Sequence, residues 1–288
     1  MNTIGLVVNS SKGNLLDPVR QVISWLKERN ISVLFNEESA LMLGQKGQGI
    51  PTRELGLRCD CIMVWGGDGT LLNSARQVAH SGTPIFGVNL GRLGFLTEID
   101  IPDLKEKLNA LVAGDFTIEE RMMLEASVIR DGQVISTSIC LNDAVVSKGT
   151  SIRMVYLEIY ISGEFVGKMS ADGIIVASPT GSTAYSLSAG GPIVAPETKV
   201  LLVTPICPHS LSNRPIVTSP DNVVEIQVLR GDRHTMLTLD GQSGFSLNDK
   251  DMVIIKKSEL SARFLKIQKT GFYKVLREKL KEWQRDLD

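Results

Sequence analysis

Over the first hundred residues, short apolar runs alternate with segments whose apolar positions recur every three or four residues, the pattern of parallel strands covered by helices. Residues 4–8 (IGLVV) read as a strand. Asp17 then caps a helix with Pro18 at its first position, and Val19, Val22, Ile23 and Leu26 share one face. A second strand, ISVLF, follows at 31–35. Residues 36–56 fit two readings, because ALML suits a helical turn and GQKGQGIPT suits a loop. CIMVW at 61–65 is a buried strand, about 70–80 a helix stopped by Gly82, and PIFGV the next strand. A helix over 103–113 carries Leu104, Leu108, Leu111 and Val112 on one side and ends at Gly114.

From about 116 to 258 the period shortens to two: VYLEIYI, IIVAS, VLLVTPI, NVVEIQVL and HTMLTLD are separated by DG, SG, NR and ND turns. This half reads as β, a sandwich or two packed sheets. The last segment returns to helix, with Phe272, Val275, Leu276, Leu280 and Trp283 in one stripe. The expected architecture is therefore α/β plus all-β. Residues 1–114 form a Rossmann-like α/β domain, 115–260 a β-rich domain, and 261–288 a segment whose helix returns to the first domain.

The 288 residues suffice for two domains, and 43% hydrophobic with 22% charged residues places the chain among soluble globular proteins. The 31 basic and 32 acidic residues nearly cancel, which removes the footprint of a general nucleic-acid binder, so any phosphate is recognised locally. MNTIGLVVNSS lacks a signal-peptide pattern and no apolar run reaches the length of a membrane span, so the chain is expected in the cytoplasm. Cys59, Cys61, Cys140 and Cys207 show no zinc spacing and read as reduced packing residues.

Two stretches carry chemistry. VWGGDGTLL at 64–72 puts Asp68 among glycines where a strand turns into a helix. Such turns attract phosphate to backbone amides, and a carboxylate at the centre is useful if a cation lies between them or if it accepts a proton from a nucleophile arriving beside the phosphate. Both describe a kinase; the competing reading is an Asp that only supports the helix start, where Thr70 also suits a cap. The second stretch, DGIIVASPTGSTAYSLSAGGPIV at 172–194, is a run of small and hydroxylated residues around Tyr185, suited to a nucleotide's base and sugar. His80 and His234 read as surface residues and His209 as structural, and neither a Walker loop nor a nucleophile elbow is present.

With these stretches, NLGRLGFLTE at 89–98, NDAVV at 142–146 and DGQ at 240–242, the sequence resembles the NAD kinases, motif by motif and in order over nearly the whole chain. The resemblance implies transfer of a phosphoryl group from ATP or polyphosphate to the 2′-hydroxyl of the adenosine ribose of NAD, with Asp68 as the base and a divalent metal, magnesium, on the donor. It further implies that Gly66, Gly67, Gly69 and Thr70 shape the turn and that Phe95 lines the pocket. Asn142 and Asp143 would hold nucleotide polar groups, with Asp143 standing where many relatives carry Glu. Arg153 would meet a phosphate, Asp172 would reach the nicotinamide end, and Ser170 stands where some relatives carry Arg. Thr183, Ala184, Tyr185, Ser186, Leu187 and Ser188 would wrap adenine and ribose, and Gln242 would close the site. No metal-ligating protein residues are implied, and the implied assembly is a homodimer or homotetramer. The alternatives are a lipid or sugar kinase sharing the glycine turn, and a non-catalytic sensor of NAD or NADP.

Overall fold

The computed structural model describes residues 1–9, 15–90, 94–97, 99–210, 213–231, 234–267 and 271–285, with side chains through Lys281. The chain divides into two compact units, Met1–Glu120 with Ala262–Asp288, and Arg121–Ser261.

The first unit is built on parallel strands Ser32–Phe35, Thr3–Val8, Cys61–Trp65 and Ile85–Asn89, in that order across the sheet, with Phe264 pairing beside Ile85. Every residue of Cys61–Trp65 and Ile85–Asn89 is buried, as expected of strands covered on both faces. On one face Ile4, Leu6, Met63, Trp65 and Phe86 meet Val19, Val22, Ile23 and Leu26 of the helix Leu16–Lys27 and Leu104, Leu108 and Leu111 of the helix Leu104–Ala113. On the other, Gly5 lies against Leu55 and Cys59, and Gly87 against Leu71 of the helix Asp68–Val78.

The sequence pattern is corrected in several places. The first helix starts at Leu16 with no side-chain cap, so Asp17 sits inside its first turn, where its charge still complements the helix dipole. Residues 36–56 contain the helix Glu37–Met42, capped by the Asn36 side chain accepting from Ser39 N–H, and the start of the helix Thr52–Arg58. Between them Gly44 and Gly47 take positive φ, so the glycines make turns rather than an open loop. Val112 is exposed while Leu104, Leu108 and Leu111 are buried. In the final helix Phe272–Arg285, Phe272, Val275 and Leu276 are half-buried and Leu280 is exposed. Cys59, Cys61 and Cys140 are buried, but Cys207 is exposed and is not a packing residue.

The strand pairs described below for the second unit are antiparallel. One sheet runs Ile216–Thr218, Leu201–Ile206, Gly173–Ala177, Asp143–Ser147, Met236–Leu239, Ser243–Ser246. The other contains Glu164–Ala171, Val155–Ile161, Val224–Arg230 and the first part of Met252–Lys266. Val146, Ile174, Val176, Leu201 and Leu237 from one sheet and Leu157, Ile159, Ile226 and Val253 from the other share one core. At about 1.5–3 kcal/mol for each large apolar side chain fully buried, this shared core is the main force holding the sheets face to face.

Leu71 anchors the start of the helix Asp68–Val78 and is fully buried. Leu71→Ala should lower unfolding free energy by about 2–5 kcal/mol in denaturant titrations; a loss under about 1 kcal/mol would mean this helix start is held by something other than its packing.

Candidate active site

In the first unit the strands deliver three loops to their carboxyl ends, the end where open parallel sheets bind ligands. After Val8, Asn9 N–H donates to the Trp65 carbonyl at 2.9 Å, and its side-chain amide donates to Thr70 Oγ1 at 3.0 Å. After Trp65 the chain turns through Gly66 and Gly67 into the helix Asp68–Val78. A side chain at Gly66 would press on Thr70, which sits 2.5 Å from where a Cβ would stand, so glycine is required for this close return of the chain.

Asp68 lies in the first turn of its helix, where the dipole favours negative charge. Its carboxylate also accepts two backbone N–H groups from the loop after Asn89: Phe95 to Oδ2 at 2.9 Å and Leu96 to Oδ1 at 3.2 Å. Gly94 N–H donates to Thr97 Oγ1 at 3.0 Å, and a Cβ on Gly94 would overlap the Asp68 carboxyl. An ionised carboxylate offers about four acceptor positions, so two remain for a ligand while the amide pair fixes its plane. Gly66, Thr70, Asp68 and Phe95 are thus brought together; Gly67 precedes the helix, and Gly69 is exposed within its first turn. Gly91, Arg92, Leu93 and Glu98 of NLGRLGFLTE lie outside the described residues.

In the second unit the segment 141–143 leads into Asp143–Ser147. The Asp240 carboxylate accepts N–H from Leu141 (3.1 Å to each oxygen), Asn142 (2.7 Å) and Asp143 (3.3 Å). Ser178 ties the same segment to the neighbouring strand, donating its N–H to the Asn142 carbonyl at 2.8 Å and its hydroxyl to the Leu141 carbonyl at 2.5 Å. Gly181 abuts the Asn142 backbone so closely that a Cβ there would overlap the Asn142 carbonyl. Held this way, Asn142 has a buried Oδ1 with no hydrogen-bond partner among the described residues, an acceptor suited to a ligand's donor. Asp143 is 4% exposed; burial and then the Asp240 charge push its carboxyl up to about 7.

The Thr180–Thr183 turn and the helix Tyr185–Ser188 follow. Tyr185 is 47% exposed, an accessible ring face. Burial, and then the charges of Cys207, Asp172 and Asp143, hold its hydroxyl above the ordinary phenol value, which places these groups in one neighbourhood. Asp172 pairs with Lys148 at 2.7 Å. Ser170 gives its hydroxyl to Met154 Sδ at 3.4 Å, and its carbonyl accepts from the N–H of His209. His209 is exposed and tied by its backbone alone in the contacts described, whereas His80 and His234 are surface residues as read. Ser186 is fully buried with its hydroxyl bonded to Thr204 at 2.9 Å, so its side chain supports the turn. Thr183, Ala184 and Leu187 are half-buried and Ser188 is exposed. Arg153 is exposed on the turn after Ser151, and Gln242 is exposed at the turn after Leu239.

Sequence reasoning missed Asn9, Gly94, Thr97, Lys148 and Asp240. Gly94, Thr97 and Asp240 stood inside quoted motifs, but Asp240 bonds backbone about a hundred residues away and Gly94, bonded to Thr97, leaves room for the Asp68 carboxyl, which no spacing reveals; nothing in the sequence signals the Lys148–Asp172 pair. Among the described residues no group of three His, Cys, Asp or Glu could hold a metal ion.

The ATP-NAD kinase N-terminal domain family matches residues 4–116, and the ATP-NAD kinase C-terminal domain family matches residues 141–267. The chain belongs to the ATP-NAD kinase family. It is 70% identical to an NAD kinase of Desulforamulus reducens over the full length of both, and 42% identical to one of Thermoanaerobacter over 98% of this chain and all of that one. Its fold is similar to that of yeast NADH kinase crystallised with NADH, with TM-score 0.89 and 26% identity over 97% of this chain and 87% of that one. It is also similar to the NAD kinase from Archaeoglobus fulgidus in complex with ATP, with TM-score 0.77 and 27% identity over 95% and 98% of the two chains.

A carboxyl raised in the folded state destabilises it as pH climbs, because the unfolded chain ionises first. For Asp143 that loss develops between about 4 and about 7 and is complete above. Asp143→Asn should therefore be more stable than the unaltered chain at pH 8, by on the order of 2 kcal/mol, and lose most of that advantage near pH 4.5. Equal stabilities at both pH values in thermal unfolding would count against a buried, raised carboxyl.

Proposed function

We propose that this chain is an NAD kinase, transferring the terminal phosphoryl group of ATP to the 2′-hydroxyl of the adenosine ribose of NAD to give NADP, with Asp68 as the base. The family match over both halves of the chain favours this over a lipid or sugar kinase sharing only the glycine turn. The observation that carries the role of Asp68 is its carboxylate, oriented by the Phe95 and Leu96 amides and with acceptor capacity to spare. In the step proposed, the ribose hydroxyl gives its proton to Asp68 as its oxygen bonds to the terminal phosphorus, the bond from that phosphorus to the bridging oxygen breaks, and ADP leaves.

Gly66, Gly67, Gly69 and Thr70 shape the phosphate turn, and Phe95 lines it. Asn142, with its unpartnered buried Oδ1, and Asp143 hold polar groups of the nucleotide. Thr183, Ala184, Tyr185, Leu187 and Ser188 surround the base and sugar, with Ser186 supporting them through Thr204. Arg153, Ser170, Asp172 and Gln242 complete the set. Residues 1–114, 115–260 and 261–288 are the corresponding functional divisions.

The residues present fit a divalent ion carried mainly by the donor's phosphates, since among the described residues no three carboxylate, His or Cys groups gather and Asp68 is the carboxylate of the turn. Magnesium, when bound, would neutralise charge on the transferring phosphate. ATP is favoured over polyphosphate by the Archaeoglobus relative's complex. NAD and NADH offer the same ribose hydroxyl, so the proton acceptor serves either. A cytoplasmic homodimer or homotetramer is the proposed state. It is supported by exposed Ile152, Tyr156, Phe165 and Val166, and no helix among the described residues is long and apolar enough to cross a membrane.

Purified protein should form NADP from NAD with ATP and magnesium; a protein that binds NAD and forms none is a sensor. Asp68→Asn should retain NAD binding while kcat falls about 10²- to 10⁴-fold, and near-normal turnover would remove Asp68 from the chemistry. Gly94→Ala, by pushing the carboxyl off its amides, should cost about a hundredfold in kcat with the fold intact by circular dichroism; an unaffected kcat would show that the amide clamp is dispensable.

A further inference from the structure

One carboxylate in the second unit does structural work at the nucleotide-holding segment without any assigned role. Asp240 follows the strand Met236–Leu239 with φ of 50°, a left-handed conformation uncommon outside glycine. That conformation lets its own N–H donate to the Asp143 carbonyl at 3.0 Å while its carboxylate turns back onto the N–H groups of Leu141, Asn142 and Asp143. Three consecutive amides converging on one charge form an anion cradle whose occupant is a side chain of the protein itself. The opposite side of the segment is closed by Ser178 and by Gly181 packed on the Asn142 backbone. What projects from this clamped segment is the Asn142 amide, with its unpartnered Oδ1, and the buried Asp143 carboxyl.

We propose that Asp240 is a positioning residue for dinucleotide binding: its carboxylate sets the Asn142 amide and the Asp143 carboxyl through the three backbone amides, and its charge governs whether Asp143 meets the ligand as donor or acceptor. This rests on the reading of Asn142 and Asp143 as NAD-binding residues. Among the described residues, the charge of Asp240, at the end of the adjacent strand, acts on Asp143, and Asp143 acts with Cys207 and Asp172 on Tyr185, in the helix Tyr185–Ser188. On the other side its register partner is Ala177, which carries no charge. Burial and the Asp240 charge both favour the neutral acid, so Asp143 changes from donor to acceptor near neutral pH.

Asp240→Asn keeps the shape but replaces part of the acceptor with an NH2 that faces N–H groups and removes the charge. The KM for NAD should rise on the order of tenfold with kcat changed less than about threefold. The inflection of log(kcat/KM) against pH, near 7 in the unaltered chain, should move to lower pH. A merely structural role would leave that inflection in place. Asp143→Asn, which removes the titrating group, should abolish the inflection between pH 6 and 8 and serves as the independent variant if Asp240→Asn fails to fold. An unmoved KM and inflection in Asp240→Asn, or an inflection persisting in Asp143→Asn, overturns the inference while the unaltered chain still makes NADP. An unaltered chain that makes no NADP overturns the functional reading instead, and this inference with it.

Discussion

The candidate site of the first unit depends on one charge-assisted contact: the Asp68 carboxylate receiving the amides of Phe95 and Leu96. Without it, a carboxylate at the start of a helix could swing among several rotamers. With it, the plane of the acid is set relative to the sheet below, because the helix is rooted by Leu71 and the donor loop follows the buried strand Ile85–Asn89. The glycines around it follow from the same constraint: Gly94 leaves room for the acid, and Gly66 for Thr70.

The second unit uses the same device for a different end. Again a carboxylate collects backbone N–H groups from a neighbouring segment, and again a glycine, Gly181, permits a contact no side chain would allow. Here the carboxylate that makes the bonds, Asp240, lies behind the groups offered to a ligand. In the first unit the clamped acid is itself the proposed proton acceptor; in the second the clamp holds an amide and an acid whose carboxyl burial raises to about 7. Both arrangements spend conformational freedom at folding, so that little is lost when a ligand arrives.

Much of this was legible from the order of residues. The change from a period near 3.6 to a period of two near residue 116 separated α/β from β, because burial on one face imposes those spacings. The turn at 66–70 was readable as a candidate phosphate turn or as a bare helix start, and the family resemblance favoured the first and extended the reading to Asn142, Asp143 and the block around Tyr185. What escaped was set by contacts across the fold. Nothing local distinguishes Ser186, whose hydroxyl is turned to Thr204, from Ser188, which is exposed. The first helix began at Leu16 rather than behind an Asp17 cap because its packing of Val19 to Leu26 outweighs the cap preference of one residue. Asp240 stood in the DGQ motif with no role attached, and only the geometry shows what its charge holds.

The most direct test of the central claim is a structure of the protein with NAD bound, read for the distance between the adenosine-ribose 2′-oxygen and the Asp68 carboxylate. The account predicts hydrogen-bond contact, about 2.6–3.2 Å, with the Phe95 and Leu96 amides still on the acid. A 2′-oxygen facing another side chain, with Asp68 out of reach, would contradict it.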